Sequence, residues 1–443
     1  MEVKAMCSTI VIFLAAISFG SEPVSEPNLG LGNTPTEREQ LLWDKTIKPQ
    51  FAAASWDDKL AYNAGHLLMV PVRASFLLDY PTWQQDASNF FKKFASEGAT
   101  LYNGPGDQLP RFYRMQFLYM ASWFMVDAAA ANKQDLVPDE LPKIAANFVE
   151  RNWNRETWAA FGNPKFTGMK ARLDWRFGAD SNRFPKQFKG FSDEDRHLWA
   201  LAANLIRYER LTEQKLPNSD VFREIRTYAK RAYDMGMVNQ PGDGVLMQPG
   251  IWAEYKDYMY AGNTTKQSNM PRVVVPFIGE DTIHAHRQGL WLLSMRNSYD
   301  EGSDEYKKYA EWYRRHRNQF LNHVLVAPSD GLPFYRLKNY MDGTNGMYRW
   351  GFQSVGPGAG WGPYESSQSL FVGWWSFVGG SKIATAYEKT SSQFPPSDRL
   401  LSVYYGYANA EQRSRIFAGD RLSNQFELIV RLASKIAPVA ESH

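Results

Sequence analysis

Residues 115–131 read MQFLYMASWFMVDAAAA, a stretch of helical character that is apolar on nearly every side. A helix of that kind cannot rest on a surface and has to be enclosed by other helices. The rest of the chain agrees with a layered helical protein. Leu198, Leu201, Ala202 and Leu205 recur at helical spacing behind Ser192, a capping residue followed by the acidic first turn Asp193, Glu194, Asp195. Leu422, Phe426, Ile429, Leu432 and Ile436 repeat the pattern. The same period predicts helices over 37–48, 58–70, 83–97, 140–153, 219–235, 281–296, 303–324, 364–378 and 409–417, most of them separated by short Gly, Pro or Asn breaks. Strand-like runs are few. The clearest is 272–277 (RVVVPF), which Pro276 restricts to a short edge piece.

Many helices joined by short turns give antiparallel hairpins. The expected fold is all-α: an (α/α) toroid, an incomplete barrel of about six or seven helical hairpins with long loops lining a cleft. Two stretches resist a helical reading, 163–190 and 339–362, and both are rich in Gly, basic and aromatic residues. Long irregular segments inside a domain usually cover or bind a ligand. At the other end, the apolar run 8–17 is too short to span a bilayer, and Ser18 and Gly20 supply small residues behind it. That layout predicts a signal peptide over 1–20, a flexible Pro/Gly/Ser-rich leader over 21–36 and one catalytic domain over 37–443. The product is expected to be secreted or periplasmic, with no membrane attachment after signal cleavage, and monomeric. The single cysteine, Cys7, falls inside the signal segment, so the mature chain has neither disulfides nor thiolate chemistry.

The net charge of +3 and the absence of dense Lys/Arg runs argue against a nucleic-acid partner. The aromatic content of 15% suits sugar rings, which present apolar C–H faces and polar edges. Large helical cores use many aromatics too. No serine-hydrolase, phosphate-loop or dinucleotide motif is present, and no cofactor is expected.

Residues 276–293 (PFIGEDTIHAHRQGLWLL) gather Glu280, Asp281, His284, His286 and Arg287 at one turn-to-helix junction. His284 and His286 are two apart and diverge on a helix, and no third ligand follows at a recognisable spacing, so no metal is assigned. The other candidate segment carries Arg336 and Tyr340, with Tyr348, Arg349 and Trp350 beyond. β-Elimination in a uronate polymer needs a group that neutralises the C6 carboxylate, a base for the C5 proton and an acid for the departing glycosidic oxygen. His, Tyr, Arg and a proton-sharing carboxyl are a sufficient set.

With a His just inside a helix and an Arg-preceded Tyr further along, the order of elements resembles the helical-toroid alginate lyases and their relatives acting on glucuronan. The matching residues are His286, Arg336 and Tyr340, with Glu280 as partner, and the motifs cover roughly residues 270–350. The resemblance implies Tyr340 as acid or as combined base and acid, His286 as neutraliser or base, and Arg336 as the carboxylate clamp. Glu280 would orient or neutralise. The chain departs from the Asn-His pair of many such lyases, because Ala285 precedes His286. Tyr348 is the substitute for the acid and His284 for the base.

Substrate contacts are expected from His284, Tyr348, Arg349, Trp252, Glu254 and Tyr255, and from Trp175, Arg176 and Arg183 in the basic stretch 163–190. The expected partner is an acidic polysaccharide. Two other functions stay open: a glycoside hydrolase using paired carboxyls among Glu254, Asp257, Glu280, Asp281 and Glu365, and a glycan-binding protein without chemistry.

Overall fold

A computed structural model describes residues 33–58, 60–104, 108–159, 164–350, 360–405 and 425–440. The signal segment, most of the leader and the helix expected over 409–417 lie outside them. The first helix, Glu37–Thr46, starts where its capping signal sits: Thr36 Oγ1 accepts from Glu39 N, and the Glu39 carboxylate accepts from Thr36 N at 2.9 Å.

The described residues are mostly helical, in keeping with the all-α expectation. The apolar stretch forms the heart of helix Gln108–Ala130, in which every residue from 114 to 129 is buried. It packs on Ala61–Leu67, on Met69–Leu77 and on Asp193–Thr212. Asp193–Thr212 packs on Gln288–Asn297, which meets the 3₁₀ turn Trp374–Val378. That turn meets Gln425–Ile436, which in turn packs on Met69–Leu77. A second set lies against these. Pro81–Glu97 packs on Met69–Leu77, Ser219–Gly236 on Asp193–Thr212, Asp304–Gln319 on Gln288–Asn297, and Ser381–Ser391 on Gln425–Ile436. Helices of this second set bury one stripe, as in Ser219–Gly236, where Phe222, Ile225, Ala229, Ala232 and Tyr233 point inward. Each large apolar side chain so enclosed stabilises by roughly 1.5–3 kcal/mol. Among the described residues no helix is long and apolar enough to cross a membrane.

Several expectations are corrected. The stretch 163–190 is not irregular throughout: Lys165–Thr167 pairs with Thr157–Ala159, and Gly168–Phe177 is a helix whose Met169, Arg172 and Leu173 are buried at helical spacing. No strand forms over 272–277, because that run meets residues 250–262 only through isolated bonds such as Gly262 N to Val273 O and leaves Val273, Val274 and Phe277 exposed. The segment 364–378 is two 3₁₀ pieces, Glu365–Val372 and Trp374–Val378, broken at Gly373, whose φ of 81° no other residue adopts cheaply. The helix expected over 281–296 is interrupted between Ala285 and Gln288.

Beside the main core lies a smaller one, built largely from the connecting segments 251–283 and 340–361: Trp252, Ala253, Tyr258, Ala261, Ile278, Tyr340, Tyr348 and Trp361. It carries one wall of the cavity described next.

Candidate active site

A solvent-open cavity of about 240 Å³ lies between the N-terminus of helix Asp193–Thr212 and the smaller core. The helix contributes Asp193, Glu194 and Arg196; residues 252–258 contribute Trp252, Tyr255, Asp257 and Tyr258. Glu280, Asp281 and His284 come from the turn into Thr282–Ala285, and Tyr348 and Arg349 from the irregular stretch 339–362.

Its centre is an imidazole held by a carboxylate. Asp281 caps the short helix through its side chain, accepting from His284 N at 3.1 Å, and the same carboxylate lies 2.8 Å from His284 Nδ1. Tyr258 OH donates to Asp281 Oδ2 at 2.7 Å. Tyr348 OH stands 3.4 Å from His284 Nδ1. With Nδ1 engaged by the carboxylate, Nε2 is the ring nitrogen left for a substrate. His284 keeps 22% of its side-chain surface exposed while Asp281 keeps 2%, so the ring meets the cavity and its partner does not. Burial pushes the Asp281 carboxyl up, but His284, Arg349 and the Tyr258 hydrogen bond outweigh it and hold the group ionised. Burial drives the Tyr348 phenol well above its usual range, against the pull of Arg349, so it carries its proton at neutral pH.

On the helix side of the cavity the charges are linked. Arg196 Nη1 donates to Glu280 Oε2 at 2.8 Å, and its Nη2 donates both to Asp193 Oδ1 at 2.9 Å and to Glu280 Oε1. Asp193 also accepts from Arg287, whose Nε lies 3.1 Å from His66 Nε2. Burial raises Glu280 despite Arg196. Burial also acts to raise Asp193, but Arg287, His284 and Arg196 together bring it well below the usual carboxylate range. On the opposite wall Arg349 Nε donates to Asp257 Oδ2 at 2.8 Å, and Arg349 itself sits in the left-handed region at φ 53°. Such backbone strain in a non-glycine residue is typical of positions over-determined by a site.

Six of the residues expected at the site line this cavity: Glu280, His284, Tyr348, Arg349, Trp252 and Tyr255. The three placed at the centre of the chemistry do not. Tyr340 is fully buried and its OH donates to Met347 O at 2.7 Å. His286 is 2% exposed, edge-on to Trp374 at 5.5 Å, and burial together with Arg287 keeps it neutral. Arg336 donates to Ala327 O and Ser329 Oγ and lies over the Tyr364 ring. Glu254 faces a separate recess with Lys186 and Val274. Trp175 packs on Phe166 and Phe184, Arg176 donates to Lys189 O, and Arg183 faces Asp180; among the described residues of the basic stretch only Arg172 lines the cavity.

Asp193 and Arg196 were not anticipated as site residues. Their sequence, SDEDR, reads first as a helix start, and the same acidic first turn that serves the helix also lines the cavity. No protein-family model matches the chain, and a search of curated proteins finds no match either.

Proposed function

We propose that this protein is a polysaccharide lyase that cleaves a uronate-containing polymer, alginate or glucuronan, by β-elimination, on an (α/α) toroid and outside the cytoplasm. The observation that carries the reading is the Asp281–His284–Tyr348 cluster, in which an oriented imidazole and a protonated phenol stand 3.4 Å apart at an open cavity. His284 Nε2 takes the C5 proton, the electrons form the C4–C5 double bond, and the C4–O bond breaks as Tyr348 protonates the leaving oxygen. Solvent at the open cavity then takes the proton from His284 Nε2 and reprotonates the Tyr348 phenolate, which restores both groups. Arg349 acts on the C6 carboxylate as a cation, and Glu280, gripped by Arg196, borders the same subsite. The succession of helix contacts that leads from Met69–Leu77 back to itself, with a second helix against most members, supports the toroid.

The test is incubation with polymannuronate, polyguluronate, glucuronan and a neutral glucan. Appearance of the ultraviolet absorbance of a 4,5-unsaturated sugar on an acidic polymer is the expected result, and its absence on all three refutes the reading.

One observation favours a hydrolase instead. The cavity presents five carboxyls, Asp193, Glu194, Asp257, Glu280 and Asp281, to three arginines. Two of these carboxyls, Asp193 and Glu280, share Arg196 Nη2, and their surroundings drive them in opposite directions. Two carboxyls whose proton affinities are pushed apart are the apparatus of glycoside hydrolysis. New reducing ends without absorbance would select it, and binding without cleavage would leave a glycan-binding protein.

A further inference from the structure

The smaller core holds a phenol that the reaction above does not use. Tyr258 is buried, with its ring 5.6 Å from Tyr340 and 5.5 Å from Tyr348, yet its OH is not spent on the core. It donates to Asp281 Oδ2 at 2.7 Å and lies 3.4 Å from Asp281 N. Asp281 has three tasks at once: it caps Thr282–Ala285, bridges the strand-like backbone at Tyr340, and holds His284 Nδ1. Both carboxylate oxygens lie within 2.9 Å of that nitrogen. The His284 backbone N–H holds Oδ1 and the Tyr258 hydroxyl holds Oδ2; without the hydroxyl the carboxylate gains freedom to twist about its Oδ1 anchor, and the imidazole would follow it.

We propose that Tyr258 is a positioning residue: its hydroxyl fixes the Asp281 carboxylate and draws off part of its charge, and so sets both the angle and the proton affinity of His284. The inference rests on His284 being the base of the proposed reaction. The titratable and charged groups around His284 are Asp281 and Glu280 on its own segment with His286 behind them, Tyr255, Asp257 and Tyr258 from 252–258, Tyr348 and Arg349 from 339–362, Asp193, Glu194 and Arg196 from the long helix, and Arg172. Tyr258 donates to Asp281 without itself meeting the imidazole.

The sign of the effect follows. Removing the donor concentrates negative charge on Asp281, which favours the protonated imidazole. Less neutral base is then present at a given pH. In Tyr258→Phe, which keeps the ring and its packing, the acid limb of the kcat/KM profile should move to higher pH, and kcat should fall about tenfold with KM little changed. Substituting 3-fluorotyrosine, a stronger donor, at position 258 should move the limb the other way. A readout that needs no substrate runs beside it: carbethoxylation of His284, resolved by mass spectrometry, should reach half its maximal rate at higher pH in Tyr258→Phe and at lower pH in the fluorinated protein. If neither variant displaces the carbethoxylation curve, Tyr258 only packs and the proposal fails. If the wild-type protein cleaves none of the polymers, the lyase reading fails, while the carbethoxylation curves still decide the role of Tyr258.

Discussion

Two tyrosines in one small core separate chemistry from packing. Tyr348 reaches the cavity and stands by His284, whereas Tyr340 spends its hydroxyl on Met347 O. Tyr348→Phe should therefore lower kcat about 100-fold at unchanged stability, because it removes a proton donor. Tyr340→Phe should leave turnover within twofold and cost about 1 kcal/mol, the net worth of one buried hydrogen bond. Steady-state rates and urea unfolding of both variants check this, and equal loss of activity in the two would overturn the division. The pair also shows how far single residues could be read. The sequence marks the segments that carry His, Tyr, Arg and Glu, and the cavity does draw on both. Which member of a neighbouring pair faces solvent, His284 or His286, Tyr348 or Tyr340, depends on where one helix breaks and one loop bends. Neither is encoded in residue type.

At the scale of elements, a single carboxylate ties three of them together. Asp195 Oδ2 accepts from Ser192 N at 2.7 Å at the start of Asp193–Thr212, pairs with Arg172 Nη1 of Gly168–Phe177 at 2.8 Å, and Asp195 Oδ1 takes the Trp158 indole N–H of Thr157–Ala159 at 3.2 Å. Both members of the ion pair are essentially inaccessible to solvent. Asp195→Ala should cost roughly 3–5 kcal/mol, because it leaves a buried guanidinium unpaired besides removing the cap. A shift of the urea midpoint equivalent to less than 1 kcal/mol would contradict it. Of these relations only the cap was legible, since capping is written in residues three apart, whereas the Arg172 contact joins two helices across a fold. The same distinction explains the other differences. Helices with a one-sided stripe, such as Glu140–Asn154, start and end close to where the period puts them. RVVVPF has the composition of a strand but no ladder partner, and Gly168–Phe177 was hidden because its stripe includes the buried Arg172.

For the whole molecule the decisive feature is a set of histidines enclosed without charge. His66, His197, His286 and His316 are all buried, and burial pushes each below the ordinary imidazole value, His197 and His316 down to about 3. In the unfolded chain the same groups take up protons below about pH 6.5. Over that window the unfolded state binds more protons than the folded one, so stability falls as pH falls, by about 1.4 kcal/mol per pH unit for each histidine once the unfolded form is fully titrating. Asp193 and Asp281 are depressed carboxylates, and their contribution disappears only at lower pH, as it drops from the unfolded carboxylate value through the depressed one. Glu280, raised in the fold, acts in the opposite sense, its contribution being present in acid and lost as pH rises through its elevated value. Four histidines against one glutamate make the histidines dominant, and a domain rarely has more than about 5–15 kcal/mol to lose. The fold should therefore be undone in mildly acid solution, before most carboxylates titrate. The urea midpoint should drop steeply between pH 7 and 5.5, and His316→Gln, far from the cavity residues in sequence and outside their lining, should flatten that slope by about a quarter. A midpoint that stays constant over this interval would mean that these imidazoles take up protons in the folded protein as they do in the unfolded chain, which would remove the neutral histidine network from beneath the proposed active site.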